Sequence, residues 1–416
     1  MAQATDLVEK YMIYKYHSSD SVRSGVTLLK SLSKKRLSTF FYQLKTKIRQ
    51  TLMKGKEKDA QHYYYQFYLS ELSVSYKNVR DKNVRDKETA NRNEEFNTLI
   101  TNLDLFYLFS QLVYACQVLN TKRAINAPKY EMPLVKSIVD MIPQTPYADL
   151  PEMQMHWNAY KMLTTNEEKY YQALKSHLFD SYSILPKIYA LNLFKYLQNF
   201  CACQISDGYN AYYSQYWEIA IYQLDEGVIE LIQLPTYKNL VTAGTMLAVL
   251  QKDKDFKAVN YFLHKHTDKL TEEFREEAQC YTKAYISFYK NDFSTVIDNL
   301  LIDQNPLVIY KFKDLYYQVD ARRLLIMNFF STNDYGNFDK MCNNLSVFLA
   351  DRKELISSVD VEKNRQFIRL VKKIFLVKNN FAATKSKKRM SLQELKKEVQ
   401  KSTMISDKTW LLKQVG

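Results

Sequence analysis

Glycine and proline are scarce in this sequence, which has seven of the former and eight of the latter in 416 residues. Together they reach only about a third of average usage. β-Sheets need many tight turns, and tight turns depend on these two residue types. The shortage therefore predicts an all-α protein of long helices and short polar loops, with its 33 tyrosines and 22 phenylalanines packed as wedges between helices.

The spacing of glycine and histidine excludes several catalytic motifs. No two glycines lie within ten residues of each other, so the sequence contains no Gly-x-Gly-x-x-Gly, no phosphate-binding P-loop and no Gly-x-Ser-x-Gly nucleophile elbow. No His-Glu-x-x-His motif occurs, and His264 and His266 point about 200° apart on a helix. We therefore predict no catalytic residue, no cofactor and no metal site, and we expect a protein that is not an enzyme.

Long apolar runs and paired cysteines are also missing. The most apolar stretch, residues 105–119, includes Gln111 and Gln117 and is shorter than the roughly 20 residues that a membrane span needs. Residues 1–17 carry charges and show no signal peptide. The five cysteines form no Cys-x-x-Cys, which is typical of reduced thiols. These features predict a cytoplasmic protein without a membrane span.

What the sequence does contain is a pattern that recurs three times between residues 239 and 350. In each copy an aspartate followed by an aromatic residue separates two apolar helical stretches, at Asp255-Phe256, Asp292-Phe293 and Asp334-Tyr335. Residues 164–168 form a fourth, weaker copy. Repeats of roughly this spacing are typical of stacked helical hairpins, so the pattern predicts an α-solenoid.

These turns resemble those of the tetratricopeptide repeat (TPR) family, in which an Asp-aromatic turn joins two helices. Ala284 occupies the position where that family has a small residue in the first helix. The match is degenerate, because no proline closes the repeats and larger residues replace the usual alanine of the second helix at Val259, Val296 and Phe338. The resemblance implies a right-handed, TPR-like solenoid of helical hairpins with an N-terminal helical cap.

A wider part of the chain, residues 60–416, resembles an uncharacterised bacterial family of TPR-like proteins. The stretches with this resemblance are residues 102–107, 238–242, 319–325 and 408–412. The resemblance implies the fold and assigns no activity.

Composition divides the chain into five segments. We interpret residues 1–58 as a basic helical cap and residues 59–127 as N-terminal helical hairpins. Five of the eight prolines lie in residues 128–151, the best candidate for a connection between two halves. Residues 152–378 form the predicted solenoid. Residues 379–416 form a basic, partly mobile tail with a short docking helix near its end.

The net charge of +14 is concentrated at the two ends of the sequence. Residues 1–58 contain 13 Lys/Arg against 4 Asp/Glu, and residues 361–416 contain 15 against 4. The simplest interpretation is a solvated surface that keeps the protein soluble. The alternative is a nucleic-acid or ribosome-associated protein, whose binding would fall steeply with salt. The candidate anion-binding residues are Lys34, Lys35, Arg36, Lys387, Lys388 and Arg389.

The predicted solenoid offers an extended surface for an unknown protein or peptide. Its candidate partner-binding residues, chosen by helix position, are Asn239, Thr242, Tyr281, Tyr285 and Arg322. Arg322 can bind a carboxylate of a partner through two hydrogen bonds. Alternatively, it can pair with Asp320 or Asp314 and hold neighbouring repeats together. The sequence therefore predicts a non-enzymatic, protein-binding scaffold.

Overall fold

The computed structural model of the chain describes residues 21–78, 87–124, 131–251, 255–305, 309–310, 312–379 and 391–416. Within these residues the protein is all-α, with 18 α-helices, four short 3-10 turns and no β-strand. Two isolated bridges, Ile232–Leu270 and Leu301–Ile309, are the only strand-like pairings in this part of the chain. The all-α prediction from scarce glycine and proline is confirmed.

The chain divides into two compact units, Met1–Tyr196 and Leu197–Gly416. The described helices of the N-terminal unit are α1 (Ser21–Lys34), α2 (Ser38–Lys54), α3 (Ala60–Asn78), α4 (Lys87–Ala124), α5 (Val135–Met141), α6 (Pro151–Thr165) and α7 (Glu168–Ser181). The division falls inside α8 (Lys187–Ser206). The described helices of the C-terminal unit are α9 (Tyr212–Asp225), α10 (Leu234–Leu250), α11 (Lys257–His266), α12 (Glu272–Tyr289), α13 (Phe293–Leu300), α14 (Leu315–Ser331), α15 (Tyr335–Asp351), α16 (Ser358–Lys378), α17 (Leu392–Lys401) and α18 (Lys408–Gln414).

The long helix α4 is central to the N-terminal unit and packs against both α3 and α6. Its Phe109 ring lies 6.2 Å from the ring of Tyr63 on α3 and 4.7 Å from the imidazole of His156 on α6. The Cys116 thiol, which is fully buried, donates to the His156 carbonyl at 3.6 Å. Burial on this side fixes the position of α4 in the unit.

The proline-rich residues 128–151, expected to connect two halves, are packed within the N-terminal unit where the structure describes them. Val135, Ile138 and Val139 of α5 are buried, and the Trp157 indole donates to the Val139 carbonyl at 3.0 Å. Pro151 occupies the first turn of α6, where a missing N–H is harmless. Here the prolines mark helix ends, and the structure places the division between units further along, after Tyr196.

In the C-terminal unit the three Asp-aromatic pairs lie between helices. Asp292 and Asp334 cap α13 and α15, accepting hydrogen bonds from the Thr295 and Asn337 N–H groups at 3.2 and 3.1 Å. Before each cap, Asn291 and Asn333 adopt left-handed backbone angles with φ of 63° and 58°. Asparagine tolerates this conformation, which ends one helix just before the cap starts the next.

Neighbouring helices of the C-terminal unit pack in two sets. Helix α10 packs against α12 and α12 against α14, while each also packs against the helix that follows it. Small or apolar side chains at these contacts are fully buried, among them Ala284 of α12 and Val296 of α13. Because α10 contacts α12 and α12 contacts α14, these three helices lie side by side.

The end of the chain, expected to be a partly mobile tail, is helical and packed over its described part. Residues 380–390 lie outside the described residues. Helix α17 packs against α16, and α18 packs against α17. Leu411 is fully buried and Trp410 is 6% exposed. A docking helix near residues 405–413 was expected, and α18 occupies most of that stretch.

Candidate partner-binding site

The described part of the C-terminal unit contains a cavity of about 370 Å³. Residues of α10, α12, α14 and α16 line it, together with the end of α8, Tyr213 of α9 and residues 405–410 around the start of α18. Its volume lies within the roughly 300–1,000 Å³ that is usual for ligand pockets. The cavity is therefore large enough for several side chains of a partner.

Four of the five predicted partner-binding residues line this cavity: Asn239, Thr242, Tyr281 and Tyr285. The first two are three residues apart on α10, and the other two are four residues apart on α12. Such spacings place both members of a pair on one side of their helix, and the packing of α10 against α12 brings the two pairs together.

The fifth predicted residue, Arg322, lies elsewhere. Its guanidinium donates to the Asn344 side chain at 2.8 Å and to the Gln318 carbonyl at 2.7 Å, and it packs over the Phe348 ring at 3.9 Å. The neighbouring Arg323 lines the cavity instead, because consecutive helical residues point about 100° apart. Arg322 therefore connects α14 to α15, and the cavity arginine is Arg323.

Arg323 is the centre of a charge cluster on one wall of the cavity. Its guanidinium lies 2.8 Å from the Asp320 carboxylate and 2.8 Å from the Asp407 carboxylate. Lys238 of α10 forms a further ion pair with Asp320, and Arg323 donates to Asn364 of α16 at 3.1 Å. The cluster thus joins α10, α14, α16 and the residue before α18.

The pKa of Asp320 shows which effect dominates in this cluster. Burial alone would raise the pKa of this carboxyl, because the charged form loses its hydration. The charges of Lys238 and Arg323 outweigh that effect and hold the pKa of Asp320 below its usual value. Asp320 is therefore ionised at neutral pH and stays paired.

Three tyrosines follow one another along α12 at the cavity: Tyr281, Tyr285 and Tyr289. The ring centroids of Tyr281 and Tyr285 are 5.9 Å apart, and those of Tyr285 and Tyr289 are 5.1 Å apart. Burial raises the pKa of all three hydroxyls, so they remain protonated at neutral pH. Tyr281 and Tyr285 are only 5% and 7% exposed, so small parts of their rings and neutral hydroxyl groups reach the cavity.

The segment before and within α18 forms another wall of the cavity. The Thr409 hydroxyl donates to the Asn210 side chain at 3.2 Å, and the Ser406 N–H donates to the Lys363 carbonyl at 3.3 Å. Lys408 lines the cavity and is only 8% exposed. Within the described residues no carboxylate lies within ion-pair distance of its ammonium group.

The residues that sequence reasoning missed at this site are mostly charged. They include Lys238, Arg323, Asp407 and Lys408, whereas the sequence indicated Asp320 only as a pairing partner of Arg322. One signal was present in the sequence, since Asp320 precedes Arg323 by three residues and such a pair can meet on a helix. No local pattern indicated that Asp407 and Lys408, near the end of the chain, reach the same cavity.

The predicted anion-binding residues lie partly outside the described structure. Lys34, Lys35 and Arg36 are exposed at the turn between α1 and α2. Lys387, Lys388 and Arg389 fall among the residues that the structure does not describe.

Two further features concern metals and membranes. Among the described residues, no group of three or more His, Cys, Asp and Glu side chains could hold a metal ion. One helical stretch in the same residues, Asn93–Thr121, is long and apolar enough to cross a membrane by length and composition, with 39% of its most apolar window buried. It belongs to α4, whose buried side contacts α3 and α6.

Comparisons with known proteins give no family for this chain. No family model matches it, and neither a curated protein nor a solved structure does.

Proposed function

We propose that this chain is a non-enzymatic, cytoplasmic scaffold that binds another protein or peptide through the cavity of its C-terminal unit. The unit would be a right-handed, TPR-like solenoid of helical hairpins, in which α10, α12, α14 and α16 are the first helices. The helices of residues 1–58 would be the N-terminal helical cap. The partner would bind along the side that these four helices share.

Local geometry supports the TPR-like architecture. Helices α10, α12 and α14 contact each other in sequence, and each packs on the helix that follows it. The Asp-aromatic turns at Asp292 and Asp334 cap the second helices of two of these pairs. Repetition of one supersecondary unit with nearest-neighbour contacts is the organisation of a solenoid.

The main support for binding is the cavity that four predicted residues share. Asn239 and Thr242 offer an amide and a hydroxyl, while Tyr281 and Tyr285, 5% and 7% exposed, add small parts of their rings. These side chains come from two successive first helices. A mixed apolar and polar lining of this kind suits the alternating side chains of an extended peptide.

The protonation states at the cavity favour binding over catalysis. Its described lining contains no His, Cys or Glu. The pKa of Asp320 is held low by Lys238 and Arg323, and burial holds the pKa of Tyr281 and Tyr285 high. General acid–base catalysis works best with a group whose pKa is near the working pH, and these three groups are shifted away from neutrality.

Charge at the cavity favours a partner with an acidic side chain. Asp320 and Asp407 are neutralised by Lys238 and Arg323. Lys408, Lys363 and one further carboxylate, Asp360, also line the cavity, which leaves one positive charge in excess; within the described residues neither lysine forms an ion pair. A carboxylate of the partner could pair with either ammonium group, and at Lys408 the pair would be largely shielded from water.

The test is site-specific photo-crosslinking in the host cell. A photoreactive amino acid at Thr242 should capture one discrete protein, and the product should persist after nuclease treatment and at raised salt. The matched control places the same amino acid at Val347 of α15, which is 59% exposed and does not line the cavity. This control should capture no such product.

A second pair of variants separates specific binding from surface adhesion. Thr242→Trp fills part of the cavity and should weaken capture of the identified partner at least tenfold, whereas Val347→Trp should leave it unchanged. Equal crosslinking from both positions would contradict the proposal. So would recovery of nucleic acid or ribosomal material alone, released by salt.

A further inference from the structure

The hairpin formed by α1 and α2 carries charge of one sign only. Residues 21–56 contain ten lysines and arginines and no aspartate or glutamate. Ordinary soluble surfaces mix both signs, so the hairpin itself is unusually positive, although Lys45 pairs with Glu95 of α4 at 3.4 Å. The ten residues are Arg23, Lys30, Lys34, Lys35, Arg36, Lys45, Lys47, Arg49, Lys54 and Lys56.

Three of these cations form the turn between α1 and α2. Lys34, Lys35 and Arg36 are exposed, and within the described residues no carboxylate lies within ion-pair distance of them. The turn is closed by hydrogen bonds from the Arg36 N–H to the Ser33 carbonyl and from the Leu37 N–H to the Leu32 carbonyl, both 3.1 Å. The three cations are thus presented on an ordered backbone.

Arg36 has a left-handed backbone conformation, with φ of 56°. Glycine or asparagine is the usual residue where a helix ends in this way, because other side chains are strained there. An arginine at this position adds a cation to the tip of the hairpin at the expense of local backbone strain. At this position the chain has a cation instead of a residue that would adopt the backbone conformation without strain.

Two large apolar side chains are exposed beside the same cations. Leu37 is 42% exposed and Phe40 is 61% exposed. The next residue, Phe41, is fully buried in the core formed by α1, α2 and α3, so that core leaves Phe40 outside. The tip thus combines three cations with two apolar side chains that the described core does not use.

The cationic surface continues from the tip along one side of α2. Lys47 and Lys54 follow Phe40 at intervals of seven residues, which places all three on the same side of the helix. Both lysines are exposed. The buried Phe41 and Ile48 are each one position later and point about 100° away, towards the core that α2 forms with α1 and α3.

We propose that the α1–α2 tip docks the protein onto an anionic lipid membrane. Lys34, Lys35 and Arg36 would contact negatively charged lipid headgroups, and Leu37 and Phe40 would insert into the boundary between headgroups and acyl chains. Basic side chains next to exposed apolar ones are what an anionic bilayer surface binds. The lysines and arginines can extend their alkyl stems along this boundary while keeping their charges in water.

A membrane fits these observations better than nucleic acid does. Phosphate contacts in a nucleic acid need cations but no aliphatic group, and Leu37 can neither stack on a base nor donate a hydrogen bond to one. An aromatic residue such as Phe40 can stack on a base, yet Leu37 is exposed next to it. Insertion into lipid uses both side chains.

The experiment is co-sedimentation of the full chain with vesicles. We expect binding to vesicles that contain a third phosphatidylglycerol in phosphatidylcholine, and none to vesicles of phosphatidylcholine alone. The triple variant Lys34→Glu, Lys35→Glu, Arg36→Glu should bind the anionic vesicles at least tenfold more weakly. Phe40→Ala should bind roughly three- to tenfold more weakly and become more sensitive to salt, because the screened electrostatic attraction then supplies a larger share of the binding free energy.

The matched control is the triple variant Lys136→Glu, Lys195→Glu, Lys340→Glu. It changes the net charge by the same amount at exposed lysines elsewhere and should bind anionic vesicles within twofold of the unaltered chain. Circular dichroism checks that each variant keeps its helices. In Phe40→Trp, the added indole emission should shift to the blue with anionic vesicles, as expected for insertion.

Three results would overturn the proposal. The first is absence of binding to anionic vesicles, with or without binding of single-stranded nucleic acid through the same residues. The second is equal weakening by the two triple variants, which would mean that only net charge matters. The third is a Phe40→Trp emission that does not change when vesicles bind.

Discussion

The Asp407 carboxylate lies 2.8 Å from the Arg323 guanidinium and joins the residue before α18 to the middle of α14. Asp407 itself has a left-handed backbone, with φ of 52°. Arg323 also pairs with Asp320 and donates to Asn364. The ion pair with Asp407 therefore fixes the end of the chain against two helices of the cavity wall.

Removing Asp407 should destabilise the C-terminal unit. In Asp407→Ala, Arg323 keeps Asp320 but loses its second carboxylate, and both partners are about one-fifth exposed. We expect a loss of about 2 kcal/mol in unfolding free energy, less than for a fully buried pair. Hydrogen exchange of the α14 and α18 amides measures the loss.

The control for this pair is Asp225→Ala. Asp225 and Lys265 are also 2.8 Å apart, but both are more than two-fifths exposed. Exposed ion pairs contribute about 0–1 kcal/mol, so this variant should have little effect. Equal losses for the two variants would show that burial of the Asp407 pair is unimportant.

Trp410 should be a main anchor of α18. Its ring centroid lies 5.2 Å from that of Phe330 and 6.3 Å from that of Phe367, and the residue is 6% exposed. Trp410→Ala should lower the unfolding free energy by about 3–5 kcal/mol through lost packing and a cavity. Chemical denaturation and the rate of proteolysis within residues 402–416 measure this, and Leu355→Ala, at a 72% exposed residue, is the control.

Two glycines in helices should respond oppositely to alanine. A Cβ at Gly244 of α10 would lie 2.5 Å from the Trp217 ring. A Cβ at Gly336 of α15 would lie 3.8 Å from its nearest neighbour, an oxygen of the Asp334 side chain. Gly244→Ala should therefore cost about 1–3 kcal/mol of stability by overpacking. Gly336→Ala should add up to about 0.5–1 kcal/mol through helix propensity, and thermal denaturation compares them.

A gain in stability from Gly244→Ala would mean that α10 and the Trp217 ring can move apart easily. The close approach would then not determine how α10 packs against α9. A loss from Gly336→Ala would show that the first turn of α15 is constrained by more than its cap at Asp334.

His156 makes the N-terminal unit sensitive to mild acid. Burial lowers the pKa of this imidazole to about 4, against about 6.5 in an unfolded chain. Above pH 6.5 the group is neutral in both states and its contribution to stability is complete. As the pH falls from 6.5 to 4 only the unfolded chain takes up the proton, so stability should drop by up to about 3 kcal/mol.

NMR titration of the His156 imidazole should give a pKa far below that of an exposed histidine. Unfolding of His156→Gln should depend less on pH between 7 and 4.5 than unfolding of the unaltered chain. The difference between the two chains isolates this group from His62, whose pKa burial also lowers to about 4. A normal titration near pH 6.5 would contradict the prediction.

The sequence contained enough to predict the fold class and four residues that line the cavity. Helix periodicity is local, so the spacing of Asn239 and Thr242, or of Tyr281 and Tyr285, shows which residues share a side of a helix. The Asp-aromatic turns act within a few residues and could be read in the same way. The direction in which each side of a helix faces is harder to predict. For this reason the sequence indicated Arg322, whereas Arg323 is the arginine that lines the cavity.

In the N-terminal unit, too, a local sequence pattern did not predict a tertiary contact. The described prolines within residues 128–151 lie near helix ends, but whether such a segment separates two cores depends on what its apolar residues contact. Val135, Ile138 and Val139 are buried there, and the compact units divide after Tyr196 instead.

The amino-acid sequence by itself determined the helices, their caps and the single sign of charge in residues 21–56, because propensity, capping and net charge depend on near neighbours. Only the tertiary structure decided which charges meet. Asp407 reaches Arg323, Lys238 reaches Asp320 and Lys408 is buried in the cavity, because the packing of distant helices and the folded-back end of the chain bring these groups together.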